Sequence, residues 1–108
     1  MVNKTYNAVV ERNVVWAGEY ASEPYECGWA REAIFFIRSL KGGSSTTCRV
    51  QISADGIRWC DEGNCFELPK NTDETTLCRV KHFGNWLRIA GDTGKDEVTV
   101  LVTLSMKS

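Results

Sequence analysis

The side chains that could carry out nucleophilic or acid-base catalysis are few. His82 is the one histidine of the 108 residues, and Cys78 lies four positions before it. In an extended strand, this spacing puts both side chains on one face but too far apart for a thiolate-imidazolium pair. The sequence therefore predicts no catalytic residue, and we expect a protein that is not an enzyme.

The cysteines are an odd number, so at least one thiol has no partner within the chain: Cys27, Cys48, Cys60, Cys65 and Cys78. Cys48 and Cys78 alternate with valines, where a thiol behaves as a small buried apolar group. Cys60 and Cys65 flank four polar residues and could instead form a local disulfide, which requires Cα atoms within about 7 Å. One histidine and no Cys-x-x-Cys pair argue against zinc. We predict no metal and no cofactor.

Two polar segments resemble ion-binding loops without matching them. Residues 91–96 (GDTGKD) combine glycine and lysine, but they lack the spacing of a phosphate loop and its Ser or Thr. We predict a polar hairpin turn there. Residues 61–74 contain five carboxylates, yet these do not follow the alternating oxygen spacing of a calcium loop. We predict that this segment is a solvated loop.

The elements that position these residues belong to one small domain. A hydrophobic fraction of 43% over 108 residues is enough for one core, so we predict a single domain over residues 1–108. Lys and Arg number 13 against 14 Asp and Glu, without long runs of either sign, which argues against nucleic-acid and membrane partners. Residues 1–7 lack an apolar segment, so we expect a flexible arm, no signal peptide and synthesis in the cytoplasm.

The apolar pattern mostly has a period of two, which predicts strands. Residues 30–33 favour a helix locally, but the β-forming run at residues 34–37 and the glycines after it indicate a strand. We predict an all-β, two-sheet antiparallel β-sandwich, jelly-roll-like, because no helices separate the strands. About eight or nine short strands are expected, at residues 9–16, 18–26, 32–40, 47–53, 57–60, 66–68, 75–80, 85–90 and 97–105.

The clearest turn signal is Asp55-Gly56, which joins residues 47–53 to residues 57–60. An Asp-Gly pair supplies the positive φ angles of a tight hairpin turn. This hairpin marks the fold rather than a chemical site. The period of two puts Trp59 near the core end of the return strand, so we expect Trp59 to hold the two sheets together.

The sequence contains more apolar side chains than one small core can bury. Phe35 and Phe36 are adjacent and therefore face opposite sides of their strand. Leu101 lies on the outer face of the last strand, whose inner face is predicted to be core: Val98, Val100, Val102, Leu104 and Met106. Apolar surface of this kind marks an interface. We predict that Phe35 and Leu101 contribute to the interface of a homo-oligomer.

Residues 50–59 (VQISADGIRW) and 83–89 (FGNWLRI) together resemble the core motifs of discoidin-like, galactose-binding-like jelly rolls. A longer series of segments resembles small β-sandwich proteins from the structural regions of bacteriophages and prophages: residues 19–24 (EYASEP), 33–37 (AIFFI), 50–59, 83–89 and 98–104 (VTVLVTL). This resemblance covers residues 18–106. It implies a virion-associated accessory protein, such as a decoration or tail-associated subunit of a larger protein assembly.

The tryptophans suggest an alternative function. Trp86 and Arg88 lie on the face of their strand opposite Leu87 and Ile89, and Trp29 lies in a turn-like segment. Exposed indole rings provide flat platforms for sugars. The sequence therefore leaves two functions open. One is a non-enzymatic structural subunit, and the other is a carbohydrate-binding module with Trp29, Trp86 and Arg88 as candidate contacts.

Overall fold

The computed structural model describes residues 4–108, and every helix or strand assigned in that range is a β-strand. The all-β prediction is confirmed. In the part of the chain described, no helix is long and apolar enough to cross a membrane. The strands are β1 (Thr5–Ala21), β2 (Tyr25–Glu26), β3 (Glu32–Gly43), β4 (Thr47–Ser53), β5 (Cys60–Glu67), β6 (Thr75–Lys81) and β7 (Trp86–Lys107).

The long strand β7 lies at the centre of one antiparallel sheet. Residues 86–91 pair with β4 on one side and with β2 and the end of β1 on the other. Residues 97–107 pair with β3 and with the first part of β1. β5 extends the sheet beyond β4, and β6 extends it beyond β3. The sheet curves into a nearly closed barrel shape, with β5 and β6 close together at its two ends.

The inner face of this sheet encloses the core. Along β7, the alternate residues predicted to be buried have no exposed surface, and Leu87 and Ile89 continue the same face in its first half. Phe35 and Ile37 of β3 are equally buried. Because side chains of a strand alternate between two faces, a strand as long as β7 can supply a large part of the core.

The predicted hairpin turn at residues 91–96 is wrong. The pairing of β1 with β7 continues on both sides of this segment, and Gly18 alone lies opposite residues 93–96. These residues form a large bulge. The Thr93 hydroxyl stabilises the bulge, because it accepts a hydrogen bond from the Gly18 backbone N–H and donates one to the Asp96 carbonyl, each 2.8 Å long. Turn-type residues suit a bulge as well as a hairpin turn.

β4 and β5 form the predicted hairpin, but the return strand begins at Cys60 rather than at Ile57. Residues 54–59 form the loop between them. The Asp55 carboxylate organises this loop, because it accepts hydrogen bonds of 2.9 Å from the backbone N–H groups of Ile57 and Arg58. Since the return strand starts later, much of the segment predicted as a solvated loop belongs to β5.

The described chain has seven strands instead of the predicted eight or nine, because β5 and β7 each replace two segments that were predicted as separate strands. β1 begins at Thr5, whose partner in β7 is Lys107. The predicted flexible arm over residues 1–7 is therefore wrong for residues 5–7, which pair within the sheet. Residues 1–3 lie outside the described part of the chain.

Candidate functional site

Side chains of β4, β5 and β7, with one from the loop before β5, form a polar and aromatic group on the outer face of the sheet. We call it the arginine-tryptophan cluster, and it consists of Arg49, Gln51, Trp59, Asp61 and Arg88. The strand register explains its composition, since Gln51 of β4 lies between its partners Asp61 of β5 and Arg88 of β7. The inward-facing neighbours on β4 and β7 belong to the core, so alternation directs these polar side chains outward.

Hydrogen bonds connect the cluster into one network. Arg88 Nε donates to Gln51 Oε1 at 2.8 Å, and Gln51 Nε2 donates to Asp61 Oδ1 at 3.0 Å. Arg49 Nε donates to the same Asp61 oxygen at 3.1 Å. The hydrogen bond from Gln51, reinforced by the positive charge of Arg49, lowers the pKa of Asp61. Both guanidinium groups are thus held through their Nε atoms.

The Arg88 guanidinium has an unusual environment for a charged group. Its Cζ lies 4.4 Å from the centre of the Trp59 ring, which is the geometry of a cation-π contact. Arg88 is half-buried, and within residues 4–108 it forms no ion pair with a carboxylate. Burial, followed by the charge of Arg49, lowers the pKa of Arg88. Buried charges are ordinarily paired, so this charge lacks the usual compensation.

A shallow depression of about 300 Å³ adjoins the cluster. Ala21 and Ala90 have short side chains that leave the space, and the longer side chains along it are those of Glu19, Arg49, Gln51 and Arg88. Tyr20 and Gly91 also line it, but the Tyr20 side chain packs against the core and occupies the space beside Gly91. Two guanidinium groups and one carboxylate therefore border the depression. This arrangement can bind a small polar group, but it contains no histidine or exposed nucleophile for covalent chemistry.

The tryptophans do not share one site. Trp59 precedes β5 and contacts Arg88, and it is not part of the buried core. The expectation that Trp59 holds two sheets together is therefore wrong. Trp86 faces outward, and its indole lies against Gly56, where an added Cβ would be 3.0 Å from Trp86 Cε2. Trp29 lies apart in the turn between β2 and β3 and is 46% exposed.

A second outward surface crosses the other half of the sheet. Four side chains, which we call the outer apolar row, are successive partners on β1, β7, β3 and β6: Val9, Thr103, Phe36 and Leu77. Val9 is 45% exposed and Leu77 is 41% exposed. The half-buried Leu101 lies in the neighbouring row, so apolar side chains face outward across four adjacent strands.

The placement of Phe35 in a subunit interface is wrong. Phe35 has no exposed surface and packs in the core with Leu104, its partner on β7. Alternation along β3 turns the next residue, Phe36, to the outside, where it joins the outer apolar row. Leu101 does face outward, as the sequence predicted. The interface candidates are therefore Phe36 and Leu101.

The potential nucleophiles are poorly suited to catalysis. Cys27 and Cys48 are buried, and burial raises the pKa of each thiol to about 12. Cys78 is also buried, and His82 is exposed. Cys60 and Cys65 are exposed free thiols. Their partners on β4, Ile52 and Arg49, are three residues apart, which puts the two cysteines about 10 Å from each other along the sheet.

Three members of the cluster were not singled out from the sequence: Arg49, Gln51 and Asp61. A partial signal was present, because polar Arg49 and Gln51 alternate with apolar Cys48 and Val50 and so share an outward face. Asp61 could not be found in this way. Asp61 pairs with Gln51 because the return strand starts at Cys60. The sequence predicted that the return strand ends at Cys60, which put Asp61 in a loop.

No protein-family model and no curated protein sequence matches the chain. Solved structures do share its fold. The crystal structure of the SPBc2 prophage-derived protein YomS is 11% identical with a TM-score of 0.66, over 100% of this chain and 96% of YomS. The PBSX exported protein XepA is 11% identical with a TM-score of 0.65, over 94% of this chain. This chain spans only 36% of the length of XepA.

These two likenesses show the fold, and they confirm the expected resemblance to a prophage protein at that level. A structure described as Bacillus endospore appendages, a family of disulfide-linked pili, has a TM-score of 0.49 at 10% identity, over 97% of this chain and 86% of that one. A TM-score below 0.5 does not establish a shared fold. The resemblance to discoidin-like domains stays a prediction.

Proposed function

We propose that this chain is a non-enzymatic structural subunit that associates with copies of itself, in the manner of a virion accessory protein of a phage or prophage. We also propose that its sheet forms a jelly-roll-like sandwich. β4, β5 and residues 86–91 would form one layer, and β3, β6 and residues 97–107 would form the other. The fold shared with the prophage-derived protein YomS supports the first part of the proposal. The second part is supported by the pairing of β7, because β4 pairs only with residues 86–91 and β3 only with residues 97–107.

The outer apolar row is the observation that carries this proposal. Val9, Phe36 and Leu77 are aligned across neighbouring strands instead of being scattered, and Leu101 lies beside them. Single exposed apolar side chains are ordinary, but a contiguous apolar surface marks an interaction site. Arg12 and Arg38 flank Leu101 as its partners on β1 and β3, which gives the apolar centre a polar rim. An apolar centre with a polar rim is typical of protein interfaces.

Light scattering after size exclusion tests the proposal directly. The monomer has a mass of 12.1 kDa, and we expect a larger mass for the wild-type protein at micromolar concentration. Leu77→Ser and Phe36→Ser should shift the mass toward the monomer. Ile57→Ser is the matched control, because Ile57 is 77% exposed but lies in the loop after β4, away from the row.

The result for the wild-type protein is decisive by itself. A mass of one monomer at tens of micromolar would contradict self-association. If Ile57→Ser and Leu77→Ser dissociated the protein equally, the loss of any exposed apolar side chain would have the same effect. The outer apolar row would then be excluded as the interface. Leu77→Ser is the safer variant for folding, since its side chain is already partly exposed.

Carbohydrate binding is a second candidate function, and the exposure of Trp29 favours it. A tryptophan that is 46% exposed on a turn can offer its ring to a sugar. A glycan array with the wild-type protein and Trp29→Ala tests this function. A wild-type signal that disappears in Trp29→Ala would support it, and the absence of any wild-type signal would eliminate it.

A further inference from the structure

We infer that the depression beside Arg88 is a binding site for a small anionic group, either a carboxylate or a phosphate. This site lies on a different part of the sheet from the outer apolar row. The inference therefore does not depend on the proposed assembly.

The two guanidinium groups are oriented by hydrogen bonds within the cluster. Arg88 and Arg49 each use the Nε atom for a hydrogen bond within the cluster, to Gln51 and to Asp61 respectively. Within residues 4–108, the terminal nitrogens of both arginines have no hydrogen-bond acceptor. A guanidinium group fixed in this way keeps its paired terminal donors free for the two oxygens of an anion.

Arg88 has no carboxylate partner in the described part of the chain. Gln51, which accepts its hydrogen bond, is neutral, and Trp59 covers the guanidinium on one side. Asp61 pairs with Arg49 instead. A bound anion would supply the partner that a half-buried cation ordinarily has, and it would also relieve the repulsion between Arg49 and Arg88.

Space for a small anion lies beside the arginines. The depression of about 300 Å³ lies where Ala21 and Ala90 have short side chains, and it is bordered by both arginines. Glu19 also lines it, but Glu19 forms no ion pair with either arginine in the described part of the chain. Glu19 and Asp61 equal the two arginines in number, but neither carboxylate forms an ion pair with Arg88 in the described part of the chain. The Arg88 guanidinium is therefore the charge that an anion would pair with.

Calorimetric titration at low ionic strength tests the inference with two probes, inorganic phosphate and glucuronate. Glucose is the neutral control for glucuronate. We expect saturable binding of at least one of the two anions, and the tighter one identifies the preferred group. Arg88→Gln should weaken that binding at least tenfold, since a charge-assisted bidentate contact is lost. Arg31→Gln has the same charge change at an exposed residue before β3 and should bind like the wild-type protein.

A second variant guards against misfolding of Arg88→Gln. Ala21 is exposed and lines the depression, so Ala21→Glu would place an internal carboxylate beside the arginines and should also abolish binding. Ser45→Glu adds the same charge in the turn after β3 and serves as its control. Three results would overturn the inference. The first is that neither anion binds saturably. The second is that glucose and glucuronate bind equally and phosphate does not bind. The third is that a variant and its control lose anion binding to the same extent.

Discussion

Phe35 and Phe36 offer a matched test of side-chain placement, because they are adjacent residues of one type on the same strand. Phe35 has no exposed surface, whereas Phe36 faces outward and is half-buried. Truncation of a fully buried phenylalanine costs about 3–5 kcal/mol, through the lost transfer free energy and the cavity that remains. We expect Phe35→Ala to lower the free energy of unfolding by that amount and Phe36→Ala to lower it by about 1 kcal/mol.

Urea unfolding followed by circular dichroism measures this difference. With a slope of about 2 kcal/mol per molar urea for a small domain, a loss of about 4 kcal/mol moves the midpoint by about 2 M. The measurement should use the lowest practical protein concentration, since self-association through Phe36 would add a concentration-dependent stabilisation. Equal midpoints, or a larger shift for Phe36→Ala, would refute the assignment of Phe35 to the core and Phe36 to the surface.

Three other predictions concern the loop after β4 and the thiols. Backbone N–H groups lower the pKa of Asp55 to about 2 from an ordinary 3.8. The stabilising effect of this carboxylate is therefore present above about pH 4 and is lost as the pH falls through 2, so the unfolding temperatures of Asp55→Ala and wild type should differ at pH 6 and differ much less at pH 2. Gly56→Ala should lower the midpoint of urea unfolding more than Gly94→Ala, because both glycines have positive φ but only at Gly56 would a Cβ meet an indole ring. Cys60 and Cys65 are the exposed thiols, so a thiol reagent such as DTNB should react quickly with two of the five in the native protein and with all five in guanidinium.

The inner face of β7 could be predicted from the sequence, because burial in a strand repeats every second residue. Val98 and Met106 mark the ends of a run whose alternate side chains have no exposed surface. The same periodicity separates Phe35 from Phe36. The charged Glu32 and Arg38 share the face of Phe36, and this was the signal in the sequence that Phe36, not Phe35, faces outward.

The bulge at residues 93–96 shows why connections were harder to predict than strands. Glycine, aspartate and threonine are typical of a turn, and within the segment itself nothing distinguishes a turn from a bulge. The hydrogen bond between the Gly18 backbone and the Thr93 hydroxyl makes the difference, and it joins residues 75 positions apart. Trp59 was misplaced for a related reason, because the Asp55 loop delays the return strand to Cys60.

The continuity of β7 also explains how one small domain can present two separate surfaces. Residues 86–91 carry Arg88 on the outer face, whereas residues 97–107 carry Thr103 and Leu101, and the bulge separates the two halves. Changes at well-separated sites without shared partners have additive effects. The proposed anion site and the proposed interface are therefore independent. A Phe36→Ser, Arg88→Gln double variant should show the association defect of one change and the binding defect of the other, and coupling between them would mean that the two surfaces belong to one interface.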